Sequence, residues 1–258
     1  MPTAIKISAP DWCFLKAGIE PAKHYAKLKT IGYDAVEMVA PENRAAAVAA
    51  GLKVLNLSAP GMGKGLNHRE NHGELLPQIR ACIAQAAAAG IPHVIVFSGN
   101  RAGQPDAEGQ ATCVAALRAL APDAAKAGVT LVFEMLNGFD HGDYQADRSA
   151  YGFAVARAVA SPNVRVLYDI YHMARMGDDP AGDVTTNLDL VVHLHCAETP
   201  KRTVPQAYGA VRYGELARVI TAAGYTGYWG MEFLPGEDLY GELAQAAASV
   251  RAAQAAKA

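Results

Sequence analysis

Short β-branched runs and Ala-rich runs of helical period alternate along the whole of this chain, and glycines mark the hand-overs. Gly32, Gly51, Gly90, Gly128 and Gly224 each follow an apolar-periodic stretch, where a helix favours a left-handed residue to end on. A strand pattern resumes within a few residues of each, as in His93-Val94-Ile95-Val96-Phe97 after Gly90. Strands are predicted at 4–9, 35–39, 53–58, 93–98, 130–136, 164–171, 191–196 and 227–233. Helices are predicted near 21–31, 42–50, 71–89, 107–127, 149–160, 184–190, 213–223 and 237–256. A strand–helix unit recurring at about one-eighth of a chain this long is the repeat of a closed parallel barrel. An open doubly wound sheet usually carries a phosphate loop after its first strand. Here that segment is Ala9-Pro10-Asp11-Trp12-Cys13, without glycine. The expected fold is therefore α/β, a single-domain (β/α)8 TIM barrel over residues 1–258 with no linker.

The chain of 258 residues is 51% hydrophobic and 19% charged, ample for one large core and far from a disordered composition. Its formal net charge of −2, with no basic block, argues against nucleic acid or an anionic membrane as partner. A small-molecule substrate remains, and local Arg or Lys residues suffice for an anionic one. The first residues, Met1-Pro2-Thr3-Ala4-Ile5-Lys6, carry no signal-peptide pattern, and no long apolar run is present. Cys13, Cys82, Cys113 and Cys196 are widely spaced and read as reduced thiols, so a cytoplasmic protein is expected. A homo-oligomer is compatible with the sequence, which points to no interface. The loop 59–70 contains Gly61-x-Gly63-x-Gly65, but position 66 is Leu and Lys64 precedes Gly65. It reads as a mobile active-site loop rather than a phosphate cradle.

Barrel enzymes keep their chemistry at the C-terminal ends of strands. Four consecutive strands end in a charged or ligating residue: Glu134, Asp169, His195 and Glu232. A single carboxylate at such a place is commonly a helix cap. Four groups that barrel closure turns toward one axis are different, because three facing carboxylates repel unless a cation neutralises them. A divalent metal is therefore expected. Mg²⁺ or Mn²⁺ suits the donor set, the imidazole favours Mn²⁺ or Co²⁺, and zinc would bring more His or Cys. Around these ends lie residues with two readings each. His172 is placed for a substrate hydroxyl or packs as a loop histidine. Glu37 contacts substrate or anchors structure. Arg101, Lys201 and Arg202 bind an anion or are solvated. His193 shares a strand face with His195 and lies deeper, while Cys196 points the other way.

The stretches Phe133-Glu134-Met135-Leu136-Asn137, Leu167-Tyr168-Asp169-Ile170-Tyr171-His172-Met173, His193-Leu194-His195 and Gly227-Tyr228-Trp229-Gly230-Met231-Glu232-Phe233 resemble the xylose-isomerase-like sugar isomerase/epimerase barrels. Within them the chain is most similar to the hydroxypyruvate isomerase family, above all in Tyr168-Asp169-Ile170-Tyr171-His172-Met173 followed by Arg175-Met176. The resemblance implies a metal held by Glu134, Asp169, His195 and Glu232, with Glu134 and Glu232 also the catalytic acid/base pair. It implies substrate contacts from His172 and Arg202; Glu37 and Arg101 are further substrate-binding candidates. The implied reaction interconverts hydroxypyruvate, or a related keto sugar acid, with tartronate semialdehyde by enediolate proton transfer. Ketose 3-epimerases usually carry His at the place of His195, and the loop 203–210 departs from the hydroxypyruvate isomerase pattern. A ketose 3-epimerase, and a metal-dependent dehydratase of a polyol ketone, therefore stand as alternatives.

Overall fold

The structure, a computed structural model, describes residues 4–255. The outermost residues of the expected 1–258 domain, and the last residue of the helix expected at 237–256, lie outside them. The chain groups into two compact units: residues 1–55, 179–188 and 193–258, and residues 56–178 and 189–192.

In the first unit the strands are β1 (Lys6–Pro10), β2 (Ala35–Glu37), β3 (Lys53–Val54), β8 (Val191–Cys196, entering the unit at His193) and β9 (Tyr228–Met231). They run in the order β3-β2-β1-β9-β8, with the pairings parallel. Helices α1 (Asp11–Phe14), α2 (Pro21–Ile31), α3 (Arg44–Ala49), α8 (Pro180–Thr186), α9 (Tyr213–Ala222) and α10 (Leu239–Ala255) accompany them. Here α2 packs on α3 and α10, and α9 on α8 and α10. Gly32 ends α2 in the left-handed conformation, as its place in the sequence predicts.

In the second unit β4 (Asn56–Ser58), β5 (His93–Phe97), β6 (Thr130–Glu134) and β7 (Val164–Asp169) lie in the order β7-β6-β5-β4, again parallel. The helices α4 (His72–Ala88), α5 (Asp106–Ala127) and α6 (Ser149–Val159) pack in sequence, α4 on α5 and α5 on α6. The buried stripe of α5, Cys113, Leu117, Leu120 and Ala124, recurs at helical spacing and faces the strands and neighbouring helices. Burying each of its leucines contributes about 2 kcal/mol. A short helix α7 (Ile170–Arg175) follows β7 directly.

Three elements differ from the sequence expectation. The strand expected at 53–58 is two, with Lys53–Val54 pairing to β2 and Asn56–Ser58 to β5. The strand expected at 164–171 stops at Asp169, whose carboxylate accepts from the His172 backbone N–H and caps α7. The helix expected at 184–190 begins earlier, because Asp179 caps it and Pro180 opens it. The cysteines are free, three of them buried. Among the described residues no helix is long and apolar enough to cross a membrane.

The loop 59–70, expected to be mobile, is bonded to the segment after β5. Leu66 N donates to Phe97 O at 3.2 Å, Asn67 N to Ser98 O at 2.8 Å, and Asn100 N to Gly63 O at 2.8 Å. Its glycines serve packing: a Cβ on Gly65 would sit 2.1 Å from Ser98 O and 2.2 Å from Gly99 N. Both of those atoms are backbone and cannot swing aside. Gly65→Ala is therefore expected to destabilise the protein by about 2 kcal/mol or more, a fall in Tm of roughly 4–8 °C. Gly73→Ala, in α4 with nothing near its added methyl, should be neutral or slightly stabilising. Thermal melts of the two variants check the contrast, which equal effects would remove.

Candidate metal centre

In the first unit, the alternation of β8 puts His193 and His195 on one face, fully buried. Glu37, at the end of β2, lies 3.0 Å from His193 Nε2 and 2.9 Å from His195 Nε2 through one oxygen, Oε2. Its other oxygen accepts from the Ser8 hydroxyl at 2.7 Å. Burial alone would raise the Glu37 carboxyl, but the charges and hydrogen bonds of the two histidines outweigh it and hold it well below the usual carboxylate range.

Glu232 sits one residue past β9, its backbone N–H donating to Cys196 O at 3.0 Å. Its side chain meets three partners. His195 Nδ1 is 2.8 Å from Oε2, the Trp12 indole N–H donates to Oε1 at 2.9 Å, and Arg202 forms an ion pair with Oε2. Arg202 Nε also donates to the Glu232 carbonyl at 3.1 Å, and its guanidinium lies over the Trp12 ring, 5.6 Å from the centroid. Burial again opposes ionisation, yet His195 and Arg202 lower the Glu232 carboxyl to about 2. Arg202 adopts a left-handed backbone (φ 53°), a conformation that costs a non-glycine residue roughly 1 kcal/mol or more.

In the second unit, Glu134 ends β6, and its carbonyl accepts from the buried Tyr144 hydroxyl at 2.9 Å. Asp169 ends β7 and caps α7, with His172 Nε2 3.5 Å from its Oδ2. The Asn137 backbone N–H donates to His172 Nδ1 at 3.1 Å, so the imidazole proton sits on Nε2, toward Asp169. Asp140 accepts from Asn137 Nδ2 at 3.0 Å, from Tyr171 at 2.6 Å and from Arg175 at 2.8 Å, tying the loop after β6 to α7.

In the first unit the buried Glu37, His193 and His195 have ligand atoms within 4.8 Å of one another, a donor set that could hold a cation, and His195 is in direct contact with the buried Glu232. In the second, Glu134 and Asp169 are buried at the ends of neighbouring strands. Three carboxylates with one imidazole are the oxygen-rich, mixed donor types of Mg²⁺ or Mn²⁺ sites, and the burial of each carboxylate is costly without a compensating charge. The residues therefore fit a divalent ion.

Residues 25–250 match the family described as xylose isomerase-like TIM barrel. The chain belongs to that family. Its fold class is thus the TIM barrel expected from the strand–helix alternation. Among curated proteins it is similar to the hydroxypyruvate isomerase of Escherichia coli (strain K12), 30% identical over 158 residues, 61% of each chain. It is likewise similar to the 2-oxo-tetronate isomerase of Cupriavidus necator, 29% identical over 61% of this chain and 60% of that one. The matches thus span less than two thirds of either relative. Among solved structures, a family 2 AP endonuclease from Brucella melitensis superposes with a TM-score of 0.84, at 20% identity over 93% of this chain and 97% of the other. A D-psicose 3-epimerase, crystallised in the presence of D-fructose, gives 0.75 at 20% identity over 98% of both. At these identities the two structures bear on the fold alone.

The remaining candidates sit as follows. Arg101 bonds to Asp106 at 2.9 Å and to the Gln145 carbonyl at 3.3 Å, clamping the loop after β5. Trp12 is the functional-looking residue that a search for charged strand ends passes over. It follows β1 directly, is 48% exposed, and touches both Glu232 and Arg202. Its neighbour Asp11 accepts from the Tyr25 hydroxyl at 2.6 Å through Oδ2, while its buried Oδ1 has no hydrogen-bond partner.

Burial raises the Asp11 carboxyl to about 6, with the Tyr25 bond opposing. A carboxyl whose folded pKa exceeds its ordinary value of 3.8 favours the native state in acid. That contribution is full below about pH 4 and is lost as pH rises through 6. Relative to Asp11→Asn, the wild type is expected to lose about 2 kcal/mol between pH 4 and pH 7.5. Urea unfolding of both proteins at the two pH values measures this, and parallel pH profiles would refute it.

Proposed function

We propose that this protein is an isomerase of small 2-oxo acids, interconverting hydroxypyruvate and tartronate semialdehyde or a close relative of that pair. The observation that carries the reading is Glu232, buried beside its strand end and paired with His195 and Arg202 in the first unit, with Glu134 and Asp169 buried at the strand ends of the second. The similarity to isomerases of hydroxypyruvate and of 2-oxo-tetronate supports the substrate class. A divalent cation held by Glu134, Asp169, His195 and Glu232, Mn²⁺ or Mg²⁺ with Co²⁺ also suited, would supply Lewis-acid polarisation of an α-hydroxy carbonyl.

The chain's own residues do the rest. Hydroxypyruvate has a weakly acidic C–H at C3, beside the C2 carbonyl. Glu232, kept ionised by His195 and Arg202, is the base that removes this proton. The electron pair left behind passes into an enediolate. The proton of the C3 hydroxyl passes to the C2 oxygen, and Glu134 on β6, entering the step protonated, gives its proton to C2 as the C3 oxygen becomes the aldehyde. Glu232 then releases the proton it took, and Glu134 regains one before the next turnover. His172, with its proton on Nε2, donates to a substrate oxygen. Arg202 supplies the cation for the substrate carboxylate, next to the base with which it pairs. A ketose 3-epimerase uses the same parts, with the proton returned to the opposite face of the original carbon. It is kept as the second reading because the imidazole ligand is His195.

Metal-loaded protein in D₂O with hydroxypyruvate, followed by proton NMR against an enzyme-free control, tests the reading. Tartronate semialdehyde carrying deuterium at C2 is expected. Exchange at C3 of fructose in a parallel tube, without turnover of hydroxypyruvate, would transfer the protein to the epimerases. Glu134→Gln and Glu232→Gln should each lower kcat by about 10²–10⁴-fold, and Arg202→Ala should raise KM for carboxylated substrates more than for neutral ones. Near-wild-type turnover in either glutamine variant would end that glutamate's assignment. Full activity after exhaustive chelation would end the metal's.

A further inference from the structure

Glu37 is a charged side chain with 0% of its surface exposed, the last residue of the three-residue strand β2, at a place that the sequence alone marks as either a substrate contact or an anchor. Its position is too deep and too heavily bonded for substrate. Oε1 accepts from Ser8, and Oε2 faces the Nε2 atoms of both His193 and His195 at 3.0 and 2.9 Å. The two imidazoles stand nearly perpendicular, 85° between planes with centroids 5.1 Å apart, and it is His195 Nε2 that hydrogen-bonds to this oxygen. His195 turns its other nitrogen, Nδ1, to Glu232 Oε2 at 2.8 Å.

A second observation shows that the fold makes room for this arrangement. Gly230 stands in the interior of β9, where a glycine weakens a strand and commonly marks a close approach. A Cβ there would come within 2.4 Å of Glu37 Oε1, 2.8 Å of His195 Cδ2 and 3.1 Å of His193 Nε2. Position 230 must lack a side chain for the glutamate and both histidines to meet.

We infer that Glu37 is a positioning residue for His195. It accepts the His195 Nε2–H, fixes the ring plane, and thereby presents Nδ1 as the nitrogen available to a metal beside Glu232. His193, whose Nε2 lies 3.0 Å from the same oxygen, is the second imidazole beside the Glu37 carboxylate. Carboxylates that accept from the far nitrogen of a ligating histidine orient the ring and raise its basicity, and their loss commonly lowers metal affinity about 10–100-fold. The inference rests on the metal reading above for the purpose of the arrangement, though not for its existence.

The test has two arms. In the first, ¹⁵N-histidine NMR locates the His195 protons in the metal-free wild type, with His195→Gln used for assignment. A proton on Nε2 is expected, with a second on Nδ1 facing Glu232 while no metal is bound, and Glu37→Leu should leave Nε2 bare. A bare Nε2 in the wild type, or a ring unaffected by Glu37→Leu, would overturn the inference. In the second, Mn²⁺ affinity is followed by electron paramagnetic resonance. Glu37→Leu should weaken binding about 10–100-fold, and Glu37→Gln, which keeps an oxygen acceptor, should recover most of it. Equal losses in the two variants would assign the effect to charge instead of orientation and would also overturn it. Wild type that binds no Mn²⁺ would remove the metal reading while the NMR arm still decides the role of Glu37. If Glu37→Leu does not fold, Ser8→Ala loosens the same carboxylate from its other side, and the wild-type spectrum needs no variant.

Discussion

Every feature near the strand ends answers to one constraint: carboxylates are buried there, and each costs several kcal/mol unless donors or a cation compensate it. Glu37 is met by Ser8, His193 and His195; Glu232 by Trp12, His195 and Arg202; Asp169 by the α7 backbone and His172. The compensation shapes the backbone too. Arg202 takes a left-handed conformation, Gly230 gives up a side chain inside a strand, and β7 ends at the residue that caps the next helix. Burial pushes these carboxyls toward neutrality, and the neighbouring cationic groups win for Glu37 and Glu232. At Asp11, whose carboxylate accepts from the Tyr25 phenol, burial wins instead.

This contrast distinguishes a carboxyl that burial holds toward neutrality from one that its neighbours hold ionised. Asp11 is raised by its burial, so it gains by being protonated and suits a packing role beside Tyr25. Glu232 is lowered because His195 and Arg202 face it, which keeps a proton acceptor ready at neutral pH. The indole N–H of Trp12 occupies the other oxygen, and since an indole only donates, it cannot compete for the proton.

Much of the scaffold was legible because its signals are local. A glycine after an apolar helix stripe reports a left-handed cap wherever it occurs, and Gly32 and Gly128 behave so. Charged residues at strand ends are equally readable, since Glu134 and Asp169 close runs of β-branched or aromatic residues and His195 is the penultimate residue of its strand. The misreadings have the opposite character. Gly61, Gly63 and Gly65 look like a flexible loop, but Gly65 is explained by the backbone of Ser98 and Gly99, more than thirty positions away in sequence. The start of α8 lay in Asp179-Pro180, a cap and first-turn pair hidden by a polar stretch. Trp12 escaped because an aromatic residue carries no mark of what its N–H will meet. Glu37 could be placed at a strand end, but its partners lie on β1 and β8, and no spacing rule links those strands.

The commitment of Arg202 to Glu232 also bears on substrate size within the proposed function. Its Nε and one terminal nitrogen bond to Glu232, and the Trp12 ring covers a face of the guanidinium. A substrate carboxylate bound by the same guanidinium must therefore lie within a few ångströms of the base. The C–H that the base attacks must lie equally near that carboxylate. In a three- or four-carbon 2-oxo acid only the carbonyl carbon separates the carboxylate from the acidic C–H carbon, so both demands are met in one short span. A neutral ketose would leave the guanidinium facing hydroxyls, which return little for the desolvation of a cation. Within the proposed function, the pairing of Arg202 with Glu232 thus supports small acidic substrates over neutral ketoses.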